Sequence, residues 1–368
     1  MLFLRLHSVM APLRLITVMI VMTLFGVPLQ AADIYRSDLV SAWPPETLPP
    51  ALSGMTPRIG ASDIAASADR SWLISTRHLS AEVCRAELNR PHFHVGRLDR
   101  CGNRHPDSLD SFLAQLTPGR PLVIHIHGNR MTHWQARDRG RFVHHQLRAH
   151  MGEQPIDFVI FSCPSERTGL PMRDGRVKAA RTEAQGLYLA WLLREVVARD
   201  VPVTLIGYSF GARVATGALH ALAGGNVSGR QLPGHSMRGA DIKVALVAPA
   251  VEEDSLQNGG YHGLASQNIH ELAVFYNPRD AILKRFWLID LPTRGRALGF
   301  SGPQQLAPGF DGSPVPLVAR NCAPFLGIRH SEIEYYTQCC RAGLAIAQLI
   351  QKNVDSIQLT QTPVPGEP

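Results

Sequence analysis

The sequence predicts an α/β fold with a mostly parallel sheet covered by helices on both faces. Three observations predict it. Short apolar runs alternate with longer amphipathic or Ala-rich stretches along most of the chain, the pattern of repeated βαβ units. Several runs, such as 121–126 and 242–247, are apolar nearly throughout, as strands buried on both faces of a parallel sheet must be. One run, Val203 to Ile206, passes straight into Gly207-Tyr208-Ser209-Phe210-Gly211 and then into an Ala-rich helical stretch. That strand–turn–helix context is what a G-x-S-x-G motif needs to form a nucleophile elbow.

Size and composition allow this fold. The chain has 368 residues, 45% hydrophobic and 18% charged, enough for one large α/β domain. The net charge of +7 does not read as nucleic-acid binding, because 33 of the 37 basic residues are Arg and they are scattered. A dense basic block with interleaved aromatics, the usual electrostatic footprint, is missing.

The first residues read as a targeting segment. Arg5 and Arg14 precede an apolar run from Leu15 to Phe25, then Gly26, Pro28 and Leu29-Gln30-Ala31-Ala32. A basic region, an apolar region and a small-residue cleavage site make a signal peptide, residues 1–31, cut after Ala31 or Ala32. The expectation is export to the periplasm or the extracellular space, without stable membrane insertion after cleavage. An uncleaved N-terminal anchor is the alternative, although the run is short of the roughly 20 apolar residues a span needs. Residues 32–68, rich in Pro, Ala and Ser, read as a disordered linker. The folded domain is expected over 69–352, with a disordered tail at 353–368.

Within the domain, residues 72–76 and 93–98 read as strands, and 108–116 as a short helix capped by Asp107 or Ser108. The strand at 121–126 ends in His127-Gly128-Asn129-Arg130. A helix over 139–150, a strand at 158–161 closing at Ser162-Cys163-Pro164, and a long amphipathic helix over 176–199 follow. After the elbow strand comes a helix from Phe210 to Leu222, stopped by Gly224-Gly225. Strands at 242–247, 272–276 and 315–319 and a closing helix over 331–351 complete the series. Export permits disulfides. Of the six cysteines, Cys84 and Cys101 could pair, as could Cys322 with Cys339 or Cys340, while Cys163 stands apart. No cysteine pair has zinc-finger spacing, so neither a metal site nor a cofactor is expected.

Ser209 is the candidate nucleophile. A serine hydroxyl needs a base to take its proton, and the base needs a third group to hold its tautomer. Asp280 follows the 272–276 strand as Asn277-Pro278-Arg279-Asp280, and His330 precedes the last helix. Asp254 and Glu253 rival Asp280. His262 and His270 rival His330, but only His330 lies past Asp280 in the order Ser, acid, His. The oxyanion of the transition state needs donors. The backbone N–H groups of Phe210 and Asn129 are the candidates. Gly128, Gly207 and Gly211 permit close backbone approach, and His127 reads as a structural hydrogen-bonding residue.

Together Gly207-Tyr208-Ser209-Phe210-Gly211, His127-Gly128-Asn129, Asp280 and His330 resemble the α/β-hydrolase superfamily. Within it, His127-Gly128-Asn129-Arg130, Phe161-Ser162-Cys163-Pro164-Ser165 and Ile206-Gly207-Tyr208-Ser209-Phe210-Gly211-Ala212-Arg213 resemble exported bacterial α/β-hydrolases of unassigned substrate. The resemblance covers about residues 70–350. It implies a sheet of about eight strands and a serine-hydrolase mechanism, but no substrate; a small-molecule carboxylic ester is the expected one. A lipase, amidase or peptidase is an alternative within hydrolysis. A non-catalytic binding protein, or a cofactor-free lyase or haloperoxidase, is an alternative outside it. The 281–314 segment is long enough to roof the site.

Overall fold

Among the described residues nine strands form one sheet: β1 (Arg70–Ser75), β2 (His94–Leu98), β3 (Arg104–Asp107), β4 (Leu122–Ile126), β5 (Asp157–Ser162), β6 (Val203–Tyr208), β7 (Ile242–Val247), β8 (Ile269–Tyr276) and β9 (Leu317–Asn321). The computed structural model describes residues 69–167, 171–289, 295–338 and 340–360. The signal peptide and linker expected over 1–31 and 32–68 lie outside the described residues, as do Cys339 and residues 361–368.

The strand order is β3-β2-β1-β5-β4-β6-β7-β8-β9. Only β2 runs antiparallel, pairing with β1 on one side and β3 on the other; every other neighbour pair is parallel. From β4 the chain steps back to β5, then crosses over β4 to β6 and continues outward through β7, β8 and β9. The direction of winding therefore reverses between β4 and β6. At such a switch point the loops at the strand ends diverge and leave a crevice. The β4–β6 register places Ile126 opposite Gly207, so both strands finish level at that crevice.

The alternation of side chains along the strands divides the core in two. Leu122, Ile124 and Ile126 of β4 face one layer with α1 (Leu109–Gln115), α3 (Pro171–Val197) and α4 (Phe210–Leu222). Val123 faces the other, formed by α2 (His133–Arg148), α7 (Glu332–Thr337) and α8 (Ala342–Thr360). Two single-turn helices, α5 (Leu298–Ser301) and α6 (Ala323–Leu326), lie in the connections on either side of β9.

The sheet exceeds the expected eight strands by β3, whose residues Arg104-His105-Pro106-Asp107 are exposed or half-buried and carry no apolar alternation. An edge strand with a proline leaves no pattern to read. Helix α2 begins six residues earlier than expected, because Thr132 and Gln135 form a reciprocal capping box. Ser108 caps α1 by accepting from the Ser111 N–H at 3.0 Å. The single closing helix expected over 331–351 is two helices, and Arg341, at φ 51°, stands just before α8. That helix continues to Thr360, past the domain end expected at 352. Cys84, Cys101, Cys163, Cys322 and Cys340 are free thiols.

A charge cluster ties the start of β5 to its neighbours. Asp157 is fully buried and takes Arg70 at 2.8 and 2.6 Å and Arg120 at 2.7 Å. Removing the shared carboxylate leaves two guanidinium groups without their partner. Asp157→Asn should therefore lower unfolding free energy by about 1–3 kcal/mol. Urea unfolding checks this, and an unchanged midpoint would show that the pairs are offset by desolvation.

Candidate active site

The turn after β6 is the most constrained backbone in the crevice. Ser209 sits at φ 51°, ψ −118°, a conformation that costs a non-glycine residue on the order of 1–3 kcal/mol. The surroundings hold it there. The Ser209 N–H donates to the Val247 carbonyl at 2.9 Å, and the Ser209 carbonyl accepts from Ala212 and Ala250. The two flanking glycines are required by space. A Cβ on Gly211 would lie 2.1 Å from the Ile126 carbonyl oxygen, and one on Gly207 would lie 2.7 Å from the Ala212 Cα. Helix α4 begins at Phe210, so its first N–H groups have no intrahelical partner and its dipole favours negative charge beside Ser209.

His330 faces this serine. Its Nε2 lies 3.0 Å from the Ser209 Oγ, and its Nδ1 lies 2.6 Å from the Asp280 Oδ2. Asp280 is fully buried, and its other oxygen accepts the N–H groups of Ile282 and Leu283, each at 2.9 Å. A carboxylate fixed at both oxygens cannot swing away from the imidazole. The order Ser209, Asp280, His330 is thus one continuous hydrogen-bond chain. Asp254 lies past β7 on another loop, with its carbonyl turned to the Gln257 N–H.

The loop after β4 completes the group. Gly128 lies against the elbow so closely that a Cβ there would meet the Tyr208 ring at 2.8 Å and the Ser209 Cβ at 3.3 Å. Asn129 and Phe210 line the same cleft. Behind them His127 is fully enclosed. Its Nδ1 donates to the Gly128 carbonyl at 2.7 Å, and its Nε2 accepts the Cys163 N–H at 3.2 Å. Both nitrogens are used by one neutral tautomer. Burial, reinforced by the Arg77 charge, pushes the His127 pKa down to about 3. Burial likewise pushes the Cys163 thiol up to about 11, so it is no thiolate nucleophile.

Several residues that shape the site carried no sequence signal. Arg77, just after β1, donates to the Ser162 Oγ at 2.8 Å and to the Met131 carbonyl at 3.1 Å, and pairs with Glu166. It ties the ends of β1 and β5 to the loop after β4. Asn277 donates to the Gly327 carbonyl at 2.9 Å, and the Ala281 N–H donates to the Ile328 carbonyl at 3.0 Å, joining the loop of Asp280 to that of His330. Glu332, two residues past His330, is fully buried against His125 of β4 at 2.8 Å, with Arg139 at 3.5 Å. Arg213, one turn past the elbow, is held between Glu252 at 2.7 Å and Glu183 at 2.9 Å, and these two carboxylates raise its pKa.

A reversed winding point, a strained serine between two crowded glycines, and an acid and a histidine on the two last strand loops decide the architecture. The chain has the α/β-hydrolase fold. Its edge is elaborated, since β1 joins β5 in parallel and an antiparallel β2, followed by β3, extends beyond it.

No protein-family model matches the sequence, and neither does any curated protein. Solved structures of similar shape include esterase B from Lactobacillus rhamnosis inhibited by a tributyrin phosphonate, at 14% identity and TM-score 0.37, covering 82% of this chain and 94% of that one. Apo Thermogutta terrifontis esterase 2 has 12% identity and TM-score 0.31, covering 68% of this chain and 87% of that one. A lipase-esterase related protein from Clostridium acetobutylicum ATCC 824 has 10% identity and TM-score 0.27, covering 64% and 96%. Likenesses this distant carry no weight beside the strand order and the elbow.

Two outcomes test this geometry. Gly211→Ala forces a methyl into a backbone carbonyl, so the variant should lose about 3 kcal/mol or more in thermal or urea unfolding, or fail to fold. A well-folded variant of wild-type stability would refute the close approach. His127, with its folded pKa below the unfolded value of about 6.5, stabilises the fold fully above that value. The contribution should fade as pH falls from about 6.5 toward about 3. Unfolding free energies from urea titrations across that window should fall less steeply for His127→Gln than for wild type, by at most about 1.4 kcal/mol per pH unit.

Proposed function

We propose that this protein is a serine hydrolase acting on carboxylic esters. The observation that carries the reading is the hydrogen-bond chain from Ser209 Oγ through His330 to Asp280, at 3.0 and 2.6 Å. Ser209 Oγ attacks the ester carbonyl carbon while His330 Nε2 takes its proton. The oxygen of the tetrahedral intermediate turns toward the N–H groups of Phe210 and Asn129, where fixed dipoles stabilise it without reorganisation. As the intermediate collapses, His330 returns the proton to the departing alkoxide, which leaves as the alcohol. Water then attacks the acyl-enzyme, with His330 again as base, and releases the acid. Asp280 keeps the His330 proton on Nδ1 and stabilises the imidazolium.

One feature supports a compact substrate. The cavity on the oxyanion side, walled by Asn129, Phe210 and Val214 with Thr182, Lys178 and Arg181, has a volume of about 20 Å³. That is far below the roughly 300–1,000 Å³ of ligand pockets, so it favours a small acyl group. Ile282, Trp287 and Ile328 are exposed close in sequence to Asp280 and His330 and offer apolar surface there.

Ser209→Ala should fold normally, lose fluorophosphonate labelling and lower kcat by about 10⁴–10⁶-fold on a short-chain reporter ester. Labelling retained in that variant would remove Ser209 from its role. Asp280→Asn should cost about 10⁴-fold through the wrong imidazole tautomer. Asp254→Asn is the control; if it abolishes turnover and Asp280→Asn does not, the acid is misassigned.

A further inference from the structure

Three histidines gather where β1 ends and β2 begins, at the same edge of the sheet as the crevice. His78 lies three residues past the end of β1, while His92 and His94 straddle the entry to β2. The antiparallel register sets His94 opposite Ser75, which brings the start and the finish of the intervening loop together. One ring nitrogen from each histidine lies within 4.8 Å of the other two, and all three side chains are exposed. The His78 and His94 rings stack at 3.5 Å, and His92 stands edge-on to both at 6.0 and 5.7 Å.

We infer that His78, His92 and His94 form a binding site for a divalent transition-metal cation of the zinc class, separate from the hydrolytic site. The ligand set is imidazole only. It suits Zn²⁺, Ni²⁺ or Cu²⁺ rather than the oxygen-seeking Ca²⁺ or Mg²⁺. Zinc–nitrogen bonds of about 2.0–2.1 Å in a tetrahedral arrangement need nitrogens roughly 3.3 Å apart. The nitrogens therefore close by about 1.5 Å at most, and the stacked His78 and His94 rings, 10° from parallel, turn so that their in-plane lone pairs converge on one point. Three protein ligands leave the fourth position to water.

One ring has its tautomer set. His78 Nε2 lies 2.7 Å from the His92 carbonyl oxygen, which can only accept, so Nε2 carries the proton and the lone pair stays on Nδ1. Metal-bound histidines hold their tautomer by the same kind of bond to a carbonyl. Arg104 is the opposing charge. It is bent back over Gly96 and donates to the Val95 carbonyl at 3.3 Å. A bound cation would clamp the ends of the loop between β1 and β2, next to Arg77.

The sequence pattern His-x13-His-x-His falls outside the cysteine spacings from which no metal site was expected. The test is isothermal titration of the untagged full chain with Zn²⁺. Wild type should saturate at one Zn²⁺ per chain. His78→Ala, His92→Ala and His94→Ala should each weaken binding by about tenfold or more, whereas His235→Ala, at another exposed histidine, should not. Circular dichroism confirms that each variant is folded. Zn²⁺ should raise the thermal midpoint of wild type but not of the triple variant. Unchanged stoichiometry and affinity in the triple variant, or no saturable binding by wild type, would overturn the proposal.

Discussion

The structure depends on how closely the start of α4 approaches the end of β4. With only hydrogen at position 211, the helix can begin against the Ile126 carbonyl, and Ser209 is bent into a positive-φ turn at that point. Every other part of the site is measured from there. Gly128 passes beside the serine because the same crowding leaves no space for a side chain, and Phe210 becomes the first residue of a helix whose N–H groups open into the crevice. Strain of this kind persists only where the surroundings over-determine it. Here β7, through the Val247 carbonyl, and the Ala250 N–H provide that hold.

The second half of the site is rigid for a different reason. Asp280 and His330 stand on loops, which are ordinarily the mobile parts of a fold. These two are joined by Asn277 and Ala281, and the His330 loop is further tied by the Tyr208 hydroxyl at 3.3 Å and by Glu332 in its buried pair with His125. Three strands of the sheet thus set one imidazole. Pre-set geometry lowers the entropy cost of reaching a reactive arrangement. Hydrophobic packing places the loops, but directed hydrogen bonds fix the ring.

The central strands and the elbow were legible in the sequence because their signals are local. An apolar run, a G-x-S-x-G turn and an Ala-rich stretch are adjacent, and the order of Asp280 and His330 after Ser209 narrowed the choice of partners. What remained hidden was long-range or unpatterned. His125 and Glu332 are separated by 207 positions, and each alone looks like an ordinary strand or helix residue. Arg77 is one of many scattered arginines until the sheet brings it beneath His127. The β3 edge has no apolar face, and the break before α8 interrupts a stretch whose helical pattern runs through it. The three histidines of the β1–β2 loop were invisible for the same reason. Their proximity is made by strand register rather than by spacing along the chain.

The two cores separated by the sheet meet at the elbow. Tyr208 and Phe210 pack in the layer of α2 and α8, whereas Ala212 and Val214, a few residues on, pack in the layer of α3. Elsewhere the sheet insulates the layers, and substitutions in different layers that share no neighbours act nearly additively. At the elbow that insulation fails, because one short turn belongs to both. Changes accumulated in either layer are independent in their effect on folding but become epistatic in their effect on the serine. The nucleophile therefore stands where the two halves of the molecule must drift together or not at all.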